Sequence, residues 1–235
     1  QYGFPMMSPS AMSSDLTALD SDVFNRLIFT EPMQAERTVK MMVDEFGLTR
    51  IAVINDSSPS LKDIVERIQT QFEALGGEIV FASEVSISDT DYSVMLEEIA
   101  AQNPQTIYSC VNYIQAASML QQWNESGLRG IPFWGCDAVF DDGLPLRVGE
   151  PPTQIIVASI KPHEGVDTAF FNTQFKEASG VEPGEITYYS WYGYDAAQAI
   201  LVAMQEVGIQ VSDRLYFPRS EMVEAVRNSS FEGLS

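Results

Sequence analysis

Residues 50–82 read RIAVINDSSPSLKDIVERIQTQFEALGGEIVFA, and the order of residue types in this stretch decides the fold class. An apolar run is followed by small and polar residues, a longer amphipathic segment, two glycines and a second apolar run. The pattern predicts a β-strand over Ile51–Ile54, a helix over Leu61–Leu75 and a second strand over Glu78–Ala82. A unit of this kind joins parallel strands through a right-handed crossover.

The same alternation continues through the middle of the chain. Further strands are predicted at Thr106–Cys110, Pro132–Cys136 and Ile155–Ala158, and further helices at Met33–Phe46, Tyr92–Gln102 and Gln115–Ser126. Two pairs of residues, Ser60 with Asp63 and Asn112 with Gln115, have the spacing of helix N-terminal caps. This cadence predicts an α/β fold in which helices pack on the faces of a parallel sheet.

Both ends of the chain depart from this cadence. The start is expected to form a short strand, a loop of small residues and an extended run, at Gly3–Met7, Ser8–Ser14 and Val23–Phe29. Residues 161–165 contain proline and glycine and look like a connection between two lobes. Helices are expected beyond it, over residues 167–178, Ser190–Val207 and Ser220–Val226.

The charge of the chain excludes some partners. It carries 33 acidic and 13 basic residues, which gives a formal net charge of −20. A surface this acidic repels nucleic-acid backbones and anionic membranes, so we expect no nucleic-acid partner. A solubilising role is the simplest explanation of the acidic excess. No stretch approaches the roughly 18 uninterrupted apolar residues of a membrane span.

The sequence contains few of the residues and motifs that enzymes use for catalysis. His163 is the only histidine and lies in the predicted connection, so neither a histidine-based triad nor an ordinary metal site is expected. No glycine-rich motif of the kind that cradles phosphates is present. We therefore predict that the chain is not an enzyme and has no catalytic residues, no cofactor and no metal.

Cys110 and Cys136 are too few for a disulfide framework or a zinc site of ordinary spacing. Both fall at the ends of predicted strands that could be neighbours. A disulfide between them is geometrically conceivable and would suit an oxidising compartment. Two small buried cysteines that do not bond are the simpler expectation.

The residues that follow the predicted strands indicate a ligand site, because parallel strands present their carboxyl ends along one edge of a sheet. Residues 55–60, Asn-Asp-Ser-Ser-Pro-Ser, place hydroxyl and backbone N–H groups at a helix N-terminus, which favours an anion. Asp137 offers a negative charge to an ammonium group, and Asn112 and Tyr113 add hydrogen-bonding groups. One anion seat and one carboxylate suit a zwitterion such as an amino acid, although each residue could equally serve as a turn or cap.

An ordered set of short motifs resembles the type I periplasmic binding proteins, and in particular their leucine/isoleucine/valine-binding branch. The motifs are Ser8-Pro9-Ser10-Ala11, residues 50–56, Asp91-Tyr92-Ser93, Asn103-Pro104, Gly127-Leu128, Phe133-Trp134-Gly135-Cys136-Asp137 and Tyr194-Asp195-Ala196. The resemblance implies two Rossmann-like lobes. Residues 30–158 would form one nearly complete lobe, and residues 1–29 and 159–235 would form parts of the other, in a chain truncated at both ends.

The resemblance also implies roles for individual residues. Ser10 matches a loop position whose backbone holds a ligand carboxylate, and Asp137 matches an acidic position that holds the ligand ammonium. Met12 stands where a hydroxyl residue is usual, and Ser60 and Asn112 stand where aromatic residues often line the cleft. Together with the strand ends, the predicted ligand-binding residues are Ser8, Ser10, Ala11, Met12, Asp56, Ser57, Ser58, Ser60, Asn112, Tyr113 and Asp137.

The function that this resemblance implies is that of an extracytoplasmic solute-binding protein of an ABC importer. Such a protein binds an amino acid or a related acid or amide by hinge closure of its lobes and delivers it to a membrane permease. A periplasmic or extracellular location is expected, with a signal peptide outside this chain. The ligand-sensing ectodomain of a signalling receptor has the same fold and is the alternative.

Overall fold

The computed structural model describes residues 3–19, 21–141, 143–148, 154–158, 166–183 and 189–235. Its strands are β1 Met6–Ser8, β2 Phe24–Arg26, β3 Arg50–Asp56, β4 Glu78–Val85, β5 Thr106–Cys110, β6 Phe133–Gly135, β7 Ile155–Val157, β8 Ile209–Val211 and β9 Arg214–Tyr216. Its α-helices are α1 Asp15–Ala18, α2 Glu31–Lys40, α3 Pro59–Ala74, α4 Ser93–Ala101, α5 Tyr113–Gln122, α6 Gly143–Val148, α7 Ala169–Ser179, α8 Ser190–Val207 and α9 Arg219–Asn228.

The chain divides into two compact units. One unit comprises Gln1–Thr30 and Ile160–Ser235, and the other comprises Glu31–Ser159. The assignment of residues 1–29, 30–158 and 159–235 to two lobes of one protein stays a prediction. The predicted connection at residues 161–165, which includes His163, lies outside the described residues.

The 31–159 unit is built on a five-stranded sheet in the order β4-β3-β5-β6-β7, and every neighbouring pair in it is parallel. The predicted α/β fold with a parallel sheet is therefore confirmed. The strand bounds differ slightly from the prediction, because β3 continues through Asn55 and Asp56 and β4 continues to Val85. These extra residues pair with each other across the two strands, since Asp56 is opposite Val85.

Alternation along the central strand β5 gives the sheet two buried faces. Ile107 belongs to an apolar cluster with residues of α4 and α5, whereas Tyr108 belongs to a second cluster with residues of α2 and α3. Every residue of β5 is buried, as expected for a parallel strand that has helices on both sides. Burying each large apolar side chain in these clusters stabilises the fold by about 1.5–3 kcal/mol.

Two helices of this unit begin differently from the prediction. The capping box expected at Ser60 and Asp63 is wrong: α3 begins at Pro59 after the N-cap residue Ser58, so Ser60 already lies in the first turn. Asp63 instead accepts a hydrogen bond from Arg67 Nε at 2.6 Å. The helix predicted over Met33–Phe46 begins earlier, at Glu31, and its last part, Met41–Glu45, is a π-helical turn.

The cap predicted at Asn112 is confirmed. Asn112 Oδ1 accepts hydrogen bonds from the backbone N–H groups of Ile114 at 3.0 Å and Gln115 at 3.1 Å. Asn112 Nδ2 also donates to Gln115 Oε1 at 2.7 Å. Because the cap fixes the first turn, α5 begins at Tyr113, two residues before the predicted start.

Replacing Asn112 by alanine should lower the free energy of unfolding by about 1 kcal/mol, since two backbone N–H groups at the start of α5 lose their acceptor. Urea denaturation of the two proteins measures this difference. Asn228→Ala is the control, because Asn228 is an exposed residue at the end of α9 and its loss should change stability by less than about 0.5 kcal/mol. Equal losses in the two variants would contradict the capping role.

The two cysteines form a disulfide, so the expectation of two unbonded cysteines is wrong. Cys110 and Cys136 directly follow Ser109 and Gly135, which are register partners on the adjacent strands β5 and β6. Their Cα atoms are 5.0 Å apart, and both side chains are fully buried in the Tyr108 cluster. Parallel register thus brings the two sulfur atoms to the same level on the same face of the sheet.

The other unit contains the parallel pair β1–β2, the helices α7, α8 and α9, and the antiparallel pair β8–β9. Helices α8 and α9 pack through Ala203, Met222 and Val226. Asp195, on α8, is buried, and its carboxylate accepts hydrogen bonds from the backbone N–H groups of Leu234 and Ser235 at 2.7–3.0 Å. This contact ties the last described residues to the helix.

Several short elements have no counterpart in the sequence prediction. Helices α1 and α6 span four and six residues, which is too short for a helical period to be recognised. The two-residue turn between β8 and β9 is Ser212-Asp213, with Ser212 at a φ of 57°. Such turns usually carry asparagine or glycine, so this hairpin lacks the usual signal.

Candidate ligand-binding site

The polar strand ends of the 31–159 unit lie along one edge of its sheet. Strands β3, β5 and β6 are neighbours, and all run in the same direction. Asp56 therefore ends β3, Asn112 follows β5 and Asp137 follows β6 at the same edge. This is the edge at which parallel α/β sheets bind small molecules.

The predicted anion-binding segment, Asp56–Ser60, already contains a hydrogen-bond acceptor, the carboxylate of Asp56. Asp56 is buried, and its Oδ1 atom accepts hydrogen bonds from Ser58 N at 2.8 Å and Ser58 Oγ at 2.6 Å. Ser57 and Ser60 are exposed. An incoming anion would have to compete with the chain's own carboxylate for Ser58. The anion-binding role of this segment stays a prediction.

Asn112 takes part in a polar network that reaches the loop after β4. Its partner Gln115 is buried, and Gln115 Nε2 donates to the carbonyl oxygen of Ser86 at 2.9 Å and to Tyr92 Oη at 3.3 Å. Tyr92 in turn donates from its hydroxyl to the carbonyl oxygen of Asp89 at 2.6 Å. Burial raises the pKa of the Tyr92 hydroxyl, which keeps it neutral as a donor. The network fixes the start of α5 and this loop together.

Tyr113 is partly exposed at the first turn of α5. The guanidinium of Arg147, on α6, lies 6.0 Å from the centre of its ring. This is the outer limit of a cation–π contact. The ring therefore belongs to the surface between α5 and α6 and adds an aromatic group near the sheet edge.

Asp137 is held by a residue distant in sequence. It begins a 3₁₀ turn, Asp137–Val139, immediately after the disulfide-bonded Cys136. Gln34, on α2, donates from Nε2 to Asp137 Oδ1 at 3.0 Å, across 103 positions of the chain. The carboxylate is half-buried, so its charge is not fully screened by water.

A buried hydroxyl lies within electrostatic range of the same carboxylate. Burial, and then the negative charge of Asp137, raise the pKa of the Tyr108 hydroxyl far above its ordinary range, so this group is a neutral O–H. Among the described residues, the buried side-chain atoms without a hydrogen-bond partner are Tyr108 Oη and Gln34 Oε1. Buried polar atoms of this kind are rare in folded proteins and call for an explanation.

Gln34 is a candidate site residue that the sequence reasoning missed. Its signal is its place in the helical stripe of α2, where Glu31 and Gln34 are buried on the same side as Ala35 and Val39. Buried polar residues in an otherwise apolar stripe are the informative departure from the usual pattern.

The predicted carboxylate-binding loop, Ser8–Met12, follows β1 in the other unit. Ser8 Oγ accepts hydrogen bonds from the N–H groups of Ala11 at 3.0 Å and Ser10 at 3.4 Å. Ser10 is exposed, whereas Ser8, Ala11 and Met12 are partly buried. The hydroxyl of Ser8 thus already engages the backbone donors that the prediction assigned to a ligand, and their ligand-binding role stays a prediction.

Arg26, at the end of β2, holds the end of this loop and the residues that follow it. Its guanidinium donates to the carbonyl oxygens of Ala11 at 3.0 Å and Ser13 at 2.9 Å, and to Thr17 Oγ1 at 2.8 Å. Arg26 therefore fixes the loop conformation.

The chemistry available at these residues is hydrogen bonding and charge pairing. Within the ranges that the structure describes, no group of three or more histidine, cysteine, aspartate or glutamate side chains could hold a metal ion. None of the helices described is long and apolar enough to span a membrane. The 31–159 unit thus places a half-buried carboxylate, that of Asp137, at the edge where parallel α/β sheets bind small molecules.

The chain belongs to the periplasmic binding protein family, whose model matches residues 1–235. Its relatives place it in the type I, leucine/isoleucine/valine-binding branch, which confirms the resemblance seen in the sequence. These relatives are binding proteins rather than enzymes, so the prediction that the chain is not an enzyme is also confirmed.

Two curated relatives illustrate the match. The leucine-specific-binding protein of Salmonella typhimurium is 22% identical over 202 residues, which are 86% of this chain and 54% of that protein. Glutamate receptor 2.3 of Arabidopsis thaliana is 26% identical over 232 residues, which are 96% of this chain and 25% of the receptor. The chain therefore spans about half of the first relative and a quarter of the second.

A solved structure shows the same fold. The solute-binding protein of an ABC transporter from R. palustris, in complex with benzoate, superposes with a TM-score of 0.77 at 21% identity. The superposition covers 98% of this chain and 62% of that structure.

Proposed function

We propose that this chain is the ligand-binding part of an extracytoplasmic solute-binding protein of an ABC importer. The solute is an amino acid or a similar small polar molecule. The observation that carries the proposal is the Asp137 carboxylate, which lies at the ligand edge of the parallel sheet with its Oδ1 atom 3.0 Å from Gln34 Nε2. A fixed, partly desolvated carboxylate is the group that an ammonium ion requires.

The binding mechanism follows from the chemistry of a zwitterion. Asp137 pairs with the ammonium group of the solute through its carboxylate. Asn112 and Tyr113 supply hydrogen-bonding and apolar contacts to the remainder of the solute. Hinge closure of two lobes is the mode of binding that the family resemblance implies.

The disulfide supports an extracytoplasmic location. Disulfides persist in oxidising compartments and are rare where thiols are kept reduced, so the Cys110–Cys136 bond suits a periplasmic or extracellular protein. The partners proposed are a small-molecule ligand and the membrane permease of an importer, and no nucleic acid. The net charge of −20 agrees with the last point.

A second candidate is the ligand-sensing ectodomain of a signalling receptor. Its support is the similarity of 232 residues to the plant glutamate receptor. The binding chemistry at Asp137 would be the same. The two candidates differ in what the full-length gene encodes, since a receptor requires a membrane anchor and an importer requires a neighbouring permease gene.

A thermal-shift screen of the intact gene product tests the proposed function. The panel contains the twenty common amino acids, their amides, and carboxylic acids without an amino group, including benzoate. A bound compound at 100 times its Kd adds about 2.7 kcal/mol of stability, which raises the Tm by several degrees. We expect at least one amino acid to give this shift. A shift with amine-free acids only would contradict the role of Asp137.

A further inference from the structure

In the contact between Gln34 and Asp137, one end of the buried Gln34 amide is hydrogen-bonded and the other end has no partner among the described residues. Gln34 is 6% exposed, and it donates from Nε2 to Asp137 Oδ1 at 3.0 Å. Its Oε1 atom is buried and accepts no hydrogen bond from any described residue. One end of the amide is therefore paired with a charged group, while the other end is desolvated without compensation.

The orientation of this amide is determined by the carboxylate. If the amide were reversed, Oε1 would face Asp137 Oδ1, and two oxygen acceptors would repel each other. The Nε2–H group is the end that can face an ionised carboxylate. Gln34 thus acts as a fixed donor that restricts the rotation of the Asp137 side chain.

Packing does not explain the choice of residue at position 34. The other buried positions of α2 are Glu31, Ala35 and Val39. A methionine of similar size at position 34 would fill the same space without a desolvated oxygen. Burying Gln34 Oε1 without a partner costs stability, and the same side chain places an N–H donor on the Asp137 carboxylate. That carboxylate is the one to which the proposed function assigns the solute's ammonium group.

We propose that Gln34 is a positioning residue that makes the site selective for solutes with a protonated amine. It acts through Asp137, whose carboxylate it orients, and a carboxylate has room for several donors at once. The inference rests on the proposed function of the Asp137 site. It adds a residue on α2, far from Asp137 in sequence, that decides which class of solute is accepted.

The test compares Gln34→Met with Tyr108→Phe in the intact protein. Each substitution removes one buried polar atom that lacks a partner among the described residues. Of these two residues, Gln34 is the one with a hydrogen bond to Asp137. Each protein is titrated with the amino acid that gives the largest thermal shift in the panel, and with the same compound lacking its amino group. The melting temperature of each protein without solute is measured in parallel.

We expect Gln34→Met to bind the amino acid about tenfold or more weakly and to bind the amine-free compound as before. Both variants should melt at or above the wild-type temperature, because a desolvated acceptor or hydroxyl has been removed. Tyr108→Phe should keep the wild-type preference for the amine. Unchanged amino-acid affinity in Gln34→Met, or a large drop in its solute-free Tm, would overturn the inference. Failure of the wild-type protein to bind any amine would instead overturn the proposed function on which it rests.

Discussion

Removing the Cys110–Cys136 bond should lower the free energy of unfolding of the 31–159 unit by about 3.5 kcal/mol. The two cysteines are 26 positions apart in the chain. In the chain-entropy model, a cross-link that closes a loop of this length restricts the unfolded chain by about that amount at 25 °C. Since most domains unfold with a free energy of 5–15 kcal/mol, this is a large fraction of the stability.

Urea denaturation of the oxidised and the reduced wild-type protein measures the effect without changing any side-chain volume. The double variant Cys110→Ala, Cys136→Ala serves as the second comparison, and reductant should not change its stability further. The slope of the unfolding free energy against urea concentration should rise when the bond is cut, because the unfolded chain becomes less compact. Identical midpoints for the oxidised and reduced proteins would refute the stabilising role.

Reduction should also weaken solute binding, because the bond joins the two strand ends that precede Asn112 and Asp137. The sulfur atoms tie β5 to β6 at the last residues before the ligand edge. Loosening these ends allows Asp137 to move relative to the Asn112 cap. The stability of the sheet and the geometry of the proposed site should therefore depend on the same covalent bond.

The parts of the structure that could be predicted are those with local signals. The βα alternation and the cap at Asn112 depend on residues within a few positions of one another, so the sequence pattern reveals them. The capping box predicted at Ser60 is wrong because Pro59 is an equally good first helical residue, and it places the start of α3 two residues earlier.

The parts that could not be predicted depend on register and tertiary contact. Whether Cys110 meets Cys136 is decided by the pairing of β5 with β6, and the pattern of a single strand does not reveal its register. The hydrogen bond from Gln34 to Asp137 joins residues 103 positions apart. Asp195 belongs to a short sequence motif, but its hydrogen bonds to the backbone of Leu234 and Ser235 depend on the folded chain.

Asp137→Asn should weaken the binding of a zwitterionic amino acid by about 2–5 kcal/mol, which is roughly thirtyfold to several thousandfold in Kd. The substitution keeps the size and shape of the side chain and removes its charge. The ammonium group of the solute would then be desolvated without a counter-charge, and this penalty is the main source of the loss. The fold should change little, because an asparagine carbonyl oxygen can still accept the hydrogen bond from Gln34.

Isothermal titration of the intact protein with the amino acid identified by the panel measures this loss. Asp141→Asn is the matched control: it removes the same charge four positions away, where the carboxylate accepts a hydrogen bond from the backbone of Gly143 at 2.7 Å. A long-range effect of net charge would weaken binding equally in both variants and would decline with added salt. A specific ion pair predicts a large loss in Asp137→Asn alone that persists at high salt. An unchanged affinity in Asp137→Asn would remove Asp137 from the site and, with it, the observation that supports an amine-bearing solute.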